Sequence, residues 1–192
     1  MKTTANKHLL KITTAAVMIA FTCVLTMAVR IPSPTKGYLN LGDLAVLLSG
    51  WLLGPLYGSI AAGVGSALAD LFAGYPVYVP GTLLIKAAMA LVVSLVPARV
   101  KRDGESRPRL GFMIASVAAE AIMVAGYYLY EAAFIGEGFA AAFAGVPGNV
   151  AQGIVGAAGA YLVIELLSRT DFFKLYGMRG FSRRKEHEQN GV

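Results

Sequence analysis

The chain alternates long apolar stretches with short polar ones, and the lengths of the apolar stretches set the architecture. Residues 9–31 are apolar almost throughout, and about 20 residues at 1.5 Å each cross the hydrocarbon core of a bilayer. A basic start precedes them, as in a secretory leader. The stretch is longer than a leader's apolar region, however, and Arg30-Ile31-Pro32 is a poor small-residue cleavage site. A first transmembrane helix is therefore expected. Residues 31–42 hold Pro32, Pro34 and Gly37, which break helices and mark a loop. From 43 to 75 the apolar run is interrupted at Gly54-Pro55-Leu56-Tyr57-Gly58, and further apolar stretches cover 80–97, 110–131 and 147–168.

Charge decides how the interrupted stretch is read. Fourteen of the seventeen Lys and Arg fall in three polar segments: Lys2 to Lys11, Arg99 to Arg109, and Arg169 to Lys185. Such segregation marks cytoplasmic loops and tails. With the N-terminus and the 98–109 connector on the same side, the crossings between them are even in number. Residues 9–31 and 80–97 make two, so 43–75 must hold two more, as a tight hairpin of short or tilted helices. The expected fold is an all-α integral membrane protein of six transmembrane helices with both termini cytoplasmic. A membrane domain would cover 1–170 and a basic tail 171–192.

At 56% hydrophobic and 15% charged, the chain is far from the roughly 25% charged of soluble proteins. The net charge of +6 has no aromatic-interleaved basic face behind it, so nucleic acid is not an expected partner. The lone Cys23 lies in an apolar run, and His8 and His187 lie in polar terminal segments. That leaves neither a metal site nor a His-based general base in the core, and no cofactor is expected. No Gly-x-x-x-x-Gly-Lys-[Ser/Thr] occurs, so the chain is read as a non-enzymatic component that does not hydrolyse ATP.

The stretch 37–93 carries charges where lipid tolerates them least: Asp43, Asp70 and Lys86. Within it stand Gly-Tyr-Leu-Asn-Leu-Gly-Asp at 37–43, Gly-Pro-Leu-Tyr-Gly at 54–58, Gly-Ser-Ala-Leu-Ala-Asp at 65–70, Gly74-Tyr75, and Pro80 through Lys86. In these motifs and their order the chain resembles the substrate-binding S components of energy-coupling factor (ECF) vitamin transporters, in the pyridoxine and hydroxymethylpyrimidine branch. The resemblance implies a small vitamin-like ligand taken from outside, a bacterial-type plasma membrane location, and partnership with a transmembrane coupling subunit and two ATPase subunits. It also implies that an Ala-x-x-x-Ala face of the first helix, Ala16 and Ala20 here, docks on the coupling subunit. Packing within the bundle is the plainer account of those two alanines. Tyr38, Asn40 and Asp43 would belong to a lid.

The intramembrane polar residues supply the remaining site candidates. Asp70 and Lys86 both fall in the outer half of the bilayer, where a mutual ion pair would reduce the cost of about 2.5–3.5 kcal/mol that each carries alone at a helix centre. Lys86 is also a candidate donor to ligand. Glu120, near the middle of the fifth helix, must be protonated, paired or facing a cavity. Asn149 and Gln152 share a helix face, and with Tyr127, Tyr128 and Glu131 they are suited to hydrogen-bond and stack on a flat heterocycle. Tyr75 and Tyr78 are further candidates, while Tyr130 reads as interfacial and Trp51 as packing. Two rivals remain. A stand-alone proton-coupled carrier would use Glu120 or Asp70 and be supported by an internal repeat, which is not found. An intramembrane enzyme would need paired acids or a His/Cys constellation in the core.

Overall fold

The structure, a computed structural model, describes residues 2–95, 101–102, 105–106 and 108–170, with side chains over 8–95 and 109–170. The 171–192 tail and half of the 98–109 connector lie outside the described residues. Helix α1 covers Lys2–Ala28, α2 Gly42–Ala73, α3 Val79–Leu95 and α4 Pro108–Leu129, which widens into a π-helical turn at Tyr130–Phe134. A short α5, Phe139–Ala142, and one 3-10 turn lead into α6, Val146–Ser168. Between α1 and α2 the chain forms a small antiparallel ladder, β1 (Ile31–Pro32) on β2 (Tyr38–Leu39). Among the described residues, four helical stretches are long and apolar enough to cross a membrane: His8–Ala28, Gly42–Ala73, Arg109–Ile135 and Phe139–Ser168. The shorter Val79–Leu95 is also apolar.

Helix α2 is not straight. Gly54 has φ 78° and ψ −172°, backbone angles that only glycine adopts readily, and Pro55 follows it. A straight helix would hold Gly58 about 13 Å from Ser49, whereas a Cβ placed on Gly58 would lie 2.6 Å from the Ser49 carbonyl oxygen. The chain therefore folds back at Gly54, as the interruption in the sequence suggested. Tyr57 sits beside His8 at the start of the first apolar stretch, with ring centroids 5.9 Å apart. The turn has thus reached the level of that stretch's N-terminal end.

Small residues bring the helices together. Cβ atoms on Gly50, Gly63 and Gly65 would lie 2.2 Å from Ala90 O, 2.7 Å from Leu83 O and 2.7 Å from Ile19 O, so backbone meets backbone where α2 crosses α3 and α1. In lipid, where apolar surface alone gives no drive to associate, such close approach supplies the packing energy. The core formed by Leu47, Met89, Phe112, Met123 and Ile164 is buried between these contacts. Several boundaries differ from the sequence reading. The first helix ends at Ala28, not residue 31, because Ile31 and Pro32 pair with β2. The fifth runs past 131 because its π turn extends it.

Gly50→Ala should cost about 1–3 kcal/mol by overpacking, since the added methyl meets the α3 backbone and not a movable side chain. Thermal unfolding in detergent reads this as a lowered midpoint. An unchanged midpoint would mean that the α2–α3 contact is looser than described.

Candidate functional site: a lidded polar cavity

Asn40 starts the site. Its side-chain oxygen accepts from the Gly42 N–H at 2.8 Å, an Asx-type turn that launches α2. Asp43 falls in the first turn of α2, where the helix dipole favours an acid, and it is completely buried. Its Oδ1 receives Lys86 Nζ from α3 in a buried salt bridge, and its Oδ2 accepts from Gln152 Nε2 of α6 at 2.6 Å. Lys86 Nζ also lies 5.3 Å from the Tyr127 ring centroid. Lys86 is thus paired with Asp43 and not with Asp70, contrary to the pairing considered from depth alone. Asp43 comes to the same level as Asp70 because the fold-back at Gly54 returns α2 along itself.

Gln152 couples this ion pair to the lid. With its amide nitrogen committed to Asp43, its carbonyl is free to accept from the Asn40 backbone N–H at 2.8 Å. Other bonds hold the rest of the loop. Tyr38 OH donates to Asp70 Oδ1 at 2.7 Å, Thr35 Oγ1 to Glu131 Oε1 at 2.9 Å, and Tyr78 OH to the Thr35 carbonyl at 2.6 Å. Lys36 bridges Glu137 at the surface. Burial, reinforced by Asp70 beside Tyr38 and by Glu131 beside Tyr78, pushes both phenols well above the usual tyrosine range. They remain hydrogen-bond donors in alkaline solution.

Beneath the lid lies a polar cavity of about 30 Å³, room for a water or two. Tyr38, Asn40, Asp70, Tyr78, Tyr127, Glu131, Asn149 and Gln152 line it, so most of the expected site residues converge there. Asp43 and Lys86 stand behind this wall. Tyr75 is outside it but stacks against Tyr38 at 4.8 Å. Tyr128 is not part of it; its ring packs on Phe139 and Phe143 at the rim. Glu120 is not part of it either. Gly153 and Gly156 of α6 leave space for its carboxyl, which lies beside Asp43 and opens onto an apolar groove between α4 and α6. Tyr130 lies flat on Gly81 and donates to Val77 O at 2.8 Å, clamping α3. Ala16 and Ala20 are exposed, which leaves that face of α1 open. Ser33, Gly37 and Thr82 line the cavity without having been named as site residues from the sequence, Gly37 having been read only as a loop marker. Neither they nor Thr35 carries charge or sits in a polar run; only their loop or helix-start position marks them.

Residues 6–169 match the family model described as ECF-type riboflavin transporter, S component. This chain belongs to that S component family. It is also 30% identical to the thiamine precursor transporter HmpT of Lactococcus lactis subsp. cremoris (strain MG1363) over 172 residues, 88% of this chain and 95% of the relative. An uncharacterized protein of Pyrococcus woesei is 41% identical over 120 residues, 62% of this chain and 76% of that one. The chain is thus a multi-pass membrane protein and a transport subunit of the vitamin-transporter type. In this S component the loop, α2, α3, α4 and α6 all contribute polar groups to the lidded cavity.

Lys86→Met should destabilise by about 3–5 kcal/mol by leaving Asp43 buried and unpaired, whereas Lys86→Met with Asp43→Leu should recover most of that loss. Thermal unfolding of the single and double variants decides it. A double variant no better than the single would mean that the pair does not carry this energy. The tyrosine shifts have a definite sign. Folded-state pKa values above the unfolded 10 give stability that is present below pH 10 and lost as pH rises past it. A phenolate absorbance titration should therefore show Tyr38→Phe and Tyr78→Phe removing only groups that ionise after the bulk of the tyrosines.

Proposed function

We propose that this S component is the high-affinity substrate-binding subunit of an ECF-type importer for a small, flat vitamin precursor, with a hydroxymethylpyrimidine-like heterocycle the leading guest and a pyridoxine-like ring the next. The observation that carries this reading is the polar cavity enclosed by four helices, α2, α3, α4 and α6, under a loop. The loop is bonded down at Thr35, Tyr38 and Asn40. The relative named for a thiamine precursor supports the substrate class.

Tyr38, Asn40, Asp70, Tyr78, Tyr127, Glu131, Asn149 and Gln152 contact the guest. Asp43 and Lys86 hold Gln152 and Tyr127 in place, Tyr75 backs Tyr38, and Glu120 and Tyr128 shape the neighbouring α4–α6 surface. The chain crosses the membrane six times, counting α2 twice about Gly54, with both termini and the basic tail in the cytoplasm. The segregated Lys and Arg support this orientation. Ala16 and Ala20 dock on a transmembrane coupling subunit, and two ATPase subunits supply the energy. Toppling of the S component then carries the cavity from the outer to the inner face of the cell membrane.

A cavity of about 30 Å³ does not admit a six-membered ring, so the lid opens for binding and the described state is the closed one. Protein purified from cells grown in rich medium should carry a small heterocycle identifiable by mass spectrometry. Asn149→Ala should weaken rebinding of that compound at least ~10-fold, which corresponds to about 1.4 kcal/mol. In proteoliposomes, uptake should require the coupling and ATPase subunits. Uptake by this chain alone, abolished by collapsing a proton gradient, would overturn the proposal in favour of a stand-alone carrier.

A further inference from the structure

We infer that the cavity selects a guest that donates hydrogen bonds to two opposed acceptors, an amino-bearing or cationic heterocycle, and rejects anionic vitamins. This deepens the binding-subunit reading and rests on it. The two acceptors are Asp70, near the end of α2, and Glu131, in the π-helical turn after α4, and both line the cavity. Each is treated alike by the lid. One oxygen accepts a lid hydroxyl, Tyr38 on Asp70 Oδ1 and Thr35 on Glu131 Oε1. The second oxygen, Asp70 Oδ2 and Glu131 Oε2, is buried without a well-formed protein hydrogen bond, and the Thr82 hydroxyl of α3 is the side chain that stands beside Asp70.

No Lys or Arg stands among the lining residues, and Lys86 is bound to Asp43 behind Tyr127. Both bare oxygens are already shielded from water in this closed state, and a guest that takes the place of the lid hydroxyls keeps water away from them. It must then donate to them or leave them buried and unpaired. An ammonium, an exocyclic amine or a protonated ring nitrogen makes charge-assisted bonds there. A carboxylate guest instead meets two acceptors and like charge. Glu131 is buried within the π turn Tyr130–Phe134, a widening often found at functional sites.

Two matched pairs of probes test this on the purified full chain by isothermal titration. One is 4-amino-5-hydroxymethyl-2-methylpyrimidine against its 4-oxo counterpart. The other is pyridoxamine against 4-pyridoxic acid. The amine should bind at least ~10-fold tighter than its counterpart in one pair or both, and Asp70→Asn or Glu131→Gln should shrink that ratio by about 10-fold. Should either variant fail to fold, the wild-type ratio still decides. Equal or tighter binding of the oxo or carboxylate probe, no binding by either amine, or an undiminished ratio in both folded variants would overturn the inference. Failure of the underlying reading looks different: the amine preference persists while the chain transports alone on a proton gradient.

Discussion

A buried ion pair holds this site together. Asp43 and Lys86 would each be costly in the bilayer alone, and neither has water to turn to. Joined, they fix the start of α2 against α3, and the oxygen of Asp43 left over from Lys86 orients the Gln152 amide. That orientation leaves a carbonyl facing the Asn40 backbone N–H, so a charge pair inside the membrane determines how a loop outside it is bonded. Removing either charge would leave the other buried and disorient Gln152. The pair therefore matters for stability and for lid geometry through the same atoms.

The fold-back at Gly54 makes the pair possible. Glycine at φ 78° followed by proline returns the chain along itself. Both ends of α2, Asp43 at one and Asp70 at the other, thereby reach the same side of the bundle. Asp43 is then spent on structure, whereas Asp70 faces the cavity. Two acids on one helical stretch take different roles because one is bound to a cation and the other meets hydroxyls, Tyr38 of the lid and Thr82 of α3.

Much of this was legible in the residues. Proline and glycine at 32–37 marked the loop and Gly54-Pro55 the reversal, and of the acids in or at the ends of apolar stretches Asp70 and Glu131 fall on the cavity wall. What sequence could not supply was partner choice. Depth alone put Asp70 and Lys86 together, because it places residues along the membrane normal and says nothing about rotation around it. Glu120 and Tyr128 were assigned to the site for the same reason, being on the right helix and turned to its other face. The hydroxyls of Ser33, Thr35 and Thr82 were silent because an uncharged small polar residue in a loop or a helix start is common. The π turn that holds Glu131 leaves no signature in composition or period. Membership of the S component family fixes the architecture's kind without fixing these pairings.

The central claim is that the space between Asp70, Glu131 and Asn149 is where the guest resides, under a loop that must lift to admit it. An experimental structure of the protein with its co-purified small molecule tests this most directly. The account predicts density for a planar ring between those three side chains, with the loop over 31–41 closed above it and Tyr38 displaced from its present contact with Asp70. Density for the guest in the apolar groove beside Glu120, with the lidded cavity unchanged, would contradict it.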